Sequence, residues 1–272
     1  MRGSNWRAPS LSRAGQPLAA RWWAFFGAAP AFGAAAALSI VAVVLLSGIH
    51  EPRRASIPQR KPIQDIAEGL SFVAHHPHLR PVFITQLIFN VASFMTLAVF
   101  VPYAVRRLGL TATGIGLTLA MYGVGMVIGA LMATRVMKIL PFGTVIALGP
   151  VTGFVASVVM AATTWIPSPA LAGLSFFLLG VGPILWVIST VTLRQSVTPE
   201  HLLGRVSAIN ILSYGARPLG TGIAAVIGGL YNAELCLYLA VAFFAWQAGV
   251  ILTSPTVALE RQPDLVGETA KA

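Results

Sequence analysis

Long apolar runs, separated by short polar segments, dominate the chain. Seven of these runs are long enough to cross a bilayer, which takes about 20 residues in a helix. In hydrocarbon only a helix satisfies its backbone hydrogen bonds within one segment, which argues against strands. The pattern predicts an all-α, polytopic membrane helical bundle of about seven transmembrane helices, at residues 25–49, 81–104, 112–134, 142–165, 168–192, 206–230 and 233–253.

One segment between the runs has a different periodicity. Ile63, Ile66, Leu70 and Val73 recur at helical spacing, with polar residues on the other side. This predicts an amphipathic helix at residues 63–76, lying on the inner membrane face within a cytoplasmic linker, and ended by Pro77. The other predicted regions are a disordered polar tail at 1–24, the linker at 50–80, a six-helix unit at 81–253 and a cytoplasmic tail at 254–272.

Composition supports a membrane protein and excludes several other classes. Hydrophobic residues make up 56% of the chain and charged residues 10%, whereas soluble chains carry about a quarter charged residues. The expected partner is therefore the lipid bilayer. The net charge of +10 is spread between apolar runs rather than gathered in one patch, which argues against nucleic acid. Cys236 is the single cysteine, so neither a disulfide framework nor a Cys-rich metal site is expected, and no cofactor is predicted.

The charged connections lie on one side of the predicted bundle. They follow spans one, three and five, and the positive-inside rule places them and the C-terminus in the cytoplasm of a multi-pass plasma (inner) membrane protein. Four arginines before the first span would also favour the cytoplasm, which an odd number of spans forbids. Either the first span is not inserted as drawn, or Met1 is not the natural start of the protein, and we expect the second.

Polar residues inside the predicted spans concentrate on four of them. Such residues usually face a cavity or another helix, because burying them in lipid is costly. The second, third, fifth and sixth spans are predicted to line a cavity, and the first, fourth and seventh to be lipid-facing support. The candidate substrate-path residues are Gln86, Asn90, Tyr122, Trp186, Asn210, Tyr214 and Arg217.

Arg217 is the most informative of these residues. It lies near the middle of its span beside Pro218, where an arginine costs about 2.5–3.5 kcal/mol on insertion scales. Apart from Glu234 at the very start of the seventh span, the spans contain no Asp or Glu to neutralise it, so its partner is a water-filled path, backbone carbonyls, an anionic substrate group or a residue outside this chain. The alternative is an arginine that snorkels or braces a helix kink.

Histidines do not provide a proton relay within the spans, because all five lie in or beside loops. The cluster of His75, His76 and His78 has no acidic or thiol residue close by in sequence. We interpret it as a solvated surface cluster rather than a metal site.

Three motifs carry a family resemblance. They are RQSVTPEHLLGRV at 194–206, GARPLG at 215–220 and DIAEGLSFV at 65–73, and together they resemble the bacterial drug and siderophore exporter branch of the major facilitator superfamily. The resemblance covers about residues 25–255 and matches the seven spans to helices six to twelve of a twelve-helix transporter. It therefore implies the C-terminal half of that fold plus one extra helix. The helices that line the solute path in the family are the spans that carry the polar residues above.

The resemblance also implies which elements control access. The family's glycine–aspartate–arginine motif has an echo in the second half of the fold, which here is GALMATRVMK at 129–138; it keeps glycine and basic residues but lacks the acid. Two gating loops are therefore predicted, with Gly129, Arg135 and Lys138 in one and Gly204 and Arg205 in the other. The first five helices of the family fold have no counterpart here, so a missing N-terminal half is an expected partner.

These observations lead to one predicted function and two alternatives. We predict a truncated secondary transporter, not an enzyme, that exports small amphipathic molecules. A membrane fragment that does not transport is the first alternative. A polytopic membrane enzyme is the second, although Glu51, Glu200, His201 and Glu234 do not form a catalytic set in sequence.

Overall fold

The structure is a computed structural model that describes residues 29–48 and 62–263. The chain divides into two compact units, Met1–Gln59 and Arg60–Ala272. The predicted polar tail at 1–24, the first residues of the first span, the linker up to residue 61 and the last residues of the C-terminal tail lie outside the described residues.

The first unit contains helix α1, Ala29–Ser47. Its 19 residues carry no charged side chain, and at 1.5 Å per residue they extend about 28 Å, close to the thickness of a bilayer core. Leu38 and Leu45 are each 70% exposed. This helix has the composition expected of the predicted first span.

The second unit is built from eight α-helices within residues 62–263. Five of them, α3, α4, α5, α6 and α9, have the length and hydropathy of membrane spans, which confirms the predicted all-α membrane bundle. The helices are α2 (Pro62–His75), α3 (Leu79–Arg106), α4 (Ala112–Ile139), α5 (Phe142–Ala162), α6 (Pro169–Val197), α7 (Leu203–Leu212), α8 (Arg217–Leu230) and α9 (Ala233–Leu252).

The predicted sixth span is interrupted. A 3-10 turn, Ser213–Ala216, separates α7 from α8, and the N–H of Arg217 bonds to the carbonyl of Tyr214 three residues back. Pro218 explains the interruption, because it has no N–H and its ring clashes with the carbonyl four residues earlier. Residues 203–230 are therefore helical but do not form one regular helix, and neither α7 nor α8 is long enough alone to cross a bilayer core.

Two predicted loops are shorter than expected. Helix α4 continues to Ile139, so Gly129, Arg135 and Lys138 are helical rather than in a loop. The sequence after Arg135 contains good helix formers and no breaker before Pro141, which explains the extension. Gly204 and Arg205 likewise lie in the first turn of α7, not in a loop.

Close helix packing depends on glycine where α4 meets α6. A Cβ added at Gly125 would collide with the backbone of Phe177, and one at Gly129 would collide with Val181 and Ile184. Small residues of this kind allow helix backbones to approach in lipid, where apolar burial gives little driving force between helices. Gly129 is therefore a packing residue in this structure.

The α2–α3 junction is organised by His76. The N–H groups of His78 and Leu79 donate to its Nδ1 at 3.2 and 3.3 Å. Leu79 begins α3, so the imidazole satisfies an N–H that has no partner within the helix. Val73, Leu79 and Val206 form an apolar cluster beside this junction.

Candidate functional site

A cavity of about 150 Å³ lies among α3, α4, α5, α6, α8, α9 and the 3-10 turn. We call it the Arg217 cavity. Its walls are mainly aromatic and aliphatic, with a few amide and hydroxyl groups and one cation. The lining residues are Thr85, Gln86, Phe89, Asn90, Tyr122, Met126, Gly149, Pro150, Pro183, Ile184, Trp186, Val187, Tyr214, Arg217 and Gln247.

Six of the seven predicted substrate-path residues line this cavity, namely Gln86, Asn90, Tyr122, Trp186, Tyr214 and Arg217. The seventh, Asn210, lies beside a separate cavity of about 20 Å³ with Arg194. The prediction treated residues 206–230 as one regular helix. A 3-10 turn advances about 120° per residue instead of about 100°, so four such residues rotate the stripe by about 80°.

Arg217 is held by an amide and two aromatic rings. Its Nε donates to Oδ1 of Asn90 at 2.9 Å, and Nδ2 of Asn90 donates to the carbonyl of Gln86 at 2.9 Å. The guanidinium carbon lies 4.3 Å from the ring centroid of Tyr214 and 5.0 Å from that of Phe94. These distances fit cation–π contacts, so the charge is stabilised without a carboxylate.

Gln247 and Thr85 are cavity residues that sequence analysis missed. The Gln247 side chain is fully buried, and neither of its amide atoms has a hydrogen-bond partner among the described residues. The Thr85 hydroxyl is also buried without a partner. The expectation that the fourth and seventh spans serve only as support is wrong at this cavity, because α5 contributes Gly149 and Pro150 and α9 contributes Gln247. The sequence signal that could have identified Gln247 is its position as a lone glutamine in an apolar span.

The cavity is closed on one side and open on another. Trp186 is 8% exposed and belongs to an apolar cluster with Ile146 and Ile251. Tyr122 and Tyr214, in contrast, are 40% and 41% exposed. The second unit therefore leaves part of the cavity wall incomplete.

The predicted gating residues have different surroundings. Arg205 pairs with two acids of α2, Nη2 to Oδ1 of Asp65 at 2.9 Å and Nη1 to Oε2 of Glu68 at 2.8 Å. Only 18% of the Arg205 side chain is exposed. Arg135 and Lys138 are exposed near the end of α4, and a Cβ at Gly204 would meet open space. Helix α2 is thus tied to α7 by a double ion pair.

Comparison with known proteins identifies the family. A sequence model of the Major Facilitator Superfamily matches residues 13–221, well over half of the chain. The chain belongs to the Major Facilitator Superfamily. No curated protein sequence matches it.

Membership in the superfamily assigns a general function. Its members are membrane transporters rather than enzymes, so the chain belongs to a class that moves solutes across a membrane. Transporters with internally repeated helices place the substrate site between the repeated units. The Arg217 cavity is the site in residues 62–263 that combines a mid-span cation, amide groups and aromatic rings.

Proposed function

We propose that this chain forms the C-terminal half of an exporter of small amphipathic molecules, in the drug and siderophore exporter branch of the superfamily. The Arg217 cavity is its part of the substrate path. The observation that carries this proposal is a cation midway along residues 203–230 that faces a cavity with aromatic and amide walls. A guanidinium at that depth is costly unless a cavity or a functional partner accommodates it.

A second helical half is the proposed partner. Tyr122 and Tyr214 line the cavity yet remain about 40% exposed, so another surface is needed to complete the wall. The exposed residues of α4 include Leu131, at 75% exposure, and those of α8 include Leu219, at 63%. These faces offer apolar area to lipid or to a packed helical partner.

The Arg205 ion pairs and the basic end of α4 are the proposed cytoplasmic gate. Asp65 and Glu68 connect α2 to the start of α7, which leads into the segment that carries Arg217. An ion pair made in only one conformation stabilises that conformation by its own free energy. In this proposal the pairs form when the cytoplasmic side is closed.

Cysteine labelling tests the proposed orientation. Cys236 is the only cysteine and is buried, so Cys236→Ala gives a background without thiols. Glu200→Cys places an exposed thiol on the charged side, and Trp165→Cys places one on the opposite side. In right-side-out inner-membrane vesicles, a membrane-impermeant maleimide should label Trp165→Cys and should label Glu200→Cys only after lysis. The reverse result would overturn the orientation.

Dye transport tests the proposed activity. The chain is reconstituted in vesicles alone and together with a five- or six-helix N-terminal half from a superfamily exporter, and accumulation of an amphipathic dye is followed. We expect accumulation with the added half, and loss of at least tenfold in rate with Arg217→Gln. Arg106→Gln removes an equally charged but exposed residue outside the Arg217 cavity and serves as the control. Absence of accumulation in both preparations would favour a membrane protein without transport activity.

A further inference from the structure

The Arg217 cavity contains polar groups that the protein itself leaves unpaired. Gln247 is 0% exposed and Thr85 is 1% exposed, and their side-chain polar atoms have no partner within residues 62–263. Burying such groups without a hydrogen bond is unfavourable, and in folded proteins the large majority are paired. Both line a cavity large enough for several waters, so a ligand that displaces those waters must replace their hydrogen bonds.

The charge of the cavity is positive. Arg217 donates through Nε to Oδ1 of Asn90, and its two terminal nitrogens donate to none of the described residues. None of the residues lining the cavity is acidic. Within residues 62–263 the acids are Asp65 and Glu68 in α2, Glu200 in a 3-10 turn before α7, Glu234 in the first turn of α9 and Glu260 after that helix, and none of them lines the cavity. A cationic ligand would therefore meet repulsion there, and an anion would meet attraction that the low-dielectric surroundings strengthen.

The size and walls of the cavity favour an aromatic ring. An apolar cavity of about 150 Å³ in another protein is known to hold benzene, and the Arg217 cavity has the same volume. Phe89, Trp186 and Tyr122 offer ring faces or edges to such a group. The open side by Tyr122 and Tyr214 lets the remainder of a larger molecule extend outwards.

We propose that the Arg217 cavity binds a single-ring aromatic carboxylate, either as a small independent anion or as the anionic end of a larger amphipathic molecule. The terminal nitrogens of Arg217 bind the carboxylate as a fork. Gln247 and Thr85 bind polar substituents on the ring. This inference rests on the proposed transport function and names the substrate class for the same site.

The test measures binding, so that it is separate from transport. The full 272-residue chain is purified in a nonionic detergent, and equilibrium dialysis compares benzoate, benzamide and benzylamine, which share one ring but differ in charge. We expect benzoate to bind at least about tenfold more tightly than benzamide, and benzylamine to bind weakest. Equal binding of the three would overturn the proposal.

Variants locate the binding. Arg217→Gln should weaken benzoate binding about tenfold while leaving benzamide binding within twofold, and Arg217→Lys should give an intermediate loss because it keeps the charge without the fork. Arg106→Gln, the matched control, should leave both unchanged. Gln247→Leu should leave benzoate binding within threefold and abolish any additional affinity of hydroxybenzoate isomers. If Arg106→Gln weakened benzoate binding as much as Arg217→Gln, the proposed site would be wrong.

Further outcomes distinguish an aromatic carboxylate from a lipid headgroup, and the ligand class from the transport function. If phosphatidylglycerol displaces benzoate and binds more tightly, the site recognises a lipid headgroup and the aromatic carboxylate is rejected. Dye accumulation without benzoate selectivity would reject the substrate class but keep the transport function. Benzoate selectivity without accumulation in any reconstituted preparation would keep the ligand class and reject the transport function.

Discussion

The amide oxygen of Asn90 accepts a 2.9 Å hydrogen bond from Nε of Arg217, across the contact between α3 and α8. The orientation of that amide is set by its own helix, because Nδ2 donates to the carbonyl of Gln86 one turn earlier. The oxygen is thereby directed towards the guanidinium. A neutral partner orients Arg217 without cancelling its charge, which leaves the charge available to a ligand.

Replacing Asn90 should separate orientation from charge. Asn90→Leu removes the acceptor, and we expect the free energy of unfolding to fall by about 1–3 kcal/mol because a partly buried guanidinium loses its hydrogen bond. Asn90→Asp should keep the fold but neutralise Arg217, so benzoate binding should fall about tenfold or more. Thermal unfolding in detergent and equilibrium dialysis measure the two effects.

Asn210→Leu is the matched control, because Asn210 lies outside the Arg217 cavity. It should leave benzoate binding unchanged. An Asn90→Asp variant that retained full benzoate affinity would contradict an electrostatic role for Arg217.

Gln247 should show a trade-off between stability and binding. Gln247→Leu keeps the approximate volume and removes two buried polar atoms without partners, so we expect the ligand-free chain to be more stable, by about 1 kcal/mol. The stability should rise while recognition of ring substituents is lost, as is common at functional sites. Thermal unfolding with and without hydroxybenzoate measures both. Gln195→Leu, at an exposed position, is the control, and a lower unfolding temperature for Gln247→Leu than for Gln195→Leu would contradict the expectation.

The ion pairs of Arg205 should control the attachment of α2. Arg205→Gln removes both pairs, and hydrogen exchange of residues 62–75 should accelerate about two- to fivefold, in keeping with the modest free energy of partly exposed pairs. Arg135→Gln, at an exposed position on α4, should leave that exchange unchanged. A double-mutant cycle of Arg205→Gln with Glu68→Gln measures the coupling, and strict additivity would show that the pair contributes nothing.

Five of the seven predicted spans are helices with the length and hydropathy of membrane spans, and six of the seven predicted path residues line the Arg217 cavity. Hydropathy sufficed for the helices because lipid requires every span to be apolar and internally hydrogen-bonded. The surroundings of Asn210 could not be predicted, since they depend on how Pro218 redirects the backbone through a 3-10 turn. Gln247 was missed because a single polar residue has no periodicity, and its burial is set by contacts between α9 and other helices.

His76 provides a pH-dependent contact at the α2–α3 junction. To accept from Leu79 and His78, its Nδ1 must carry no proton. Burial lowers the pKa of His76 below its usual 6.5, and the neighbouring His78 lowers it further. Burial also lowers the pKa of His78. The folded chain therefore favours the neutral imidazoles, with Arg80 adding positive charge nearby in sequence.

Acidification should loosen this junction. Below about pH 6.5 the unfolded chain binds more protons than the folded chain, so the stabilisation present at higher pH is lost as the pH falls through the lowered pKa of the folded state. Protonation also removes the acceptor and places a positive charge at the start of α3, where the helix dipole disfavours it. Hydrogen exchange at residues 76–80 should be faster, relative to the intrinsic rate, at pH 5.5 than at pH 7.5.

His76→Asn, which keeps a neutral acceptor, should reduce this difference, whereas His201→Asn should preserve it. An unchanged pH difference in His76→Asn would assign the effect to another group.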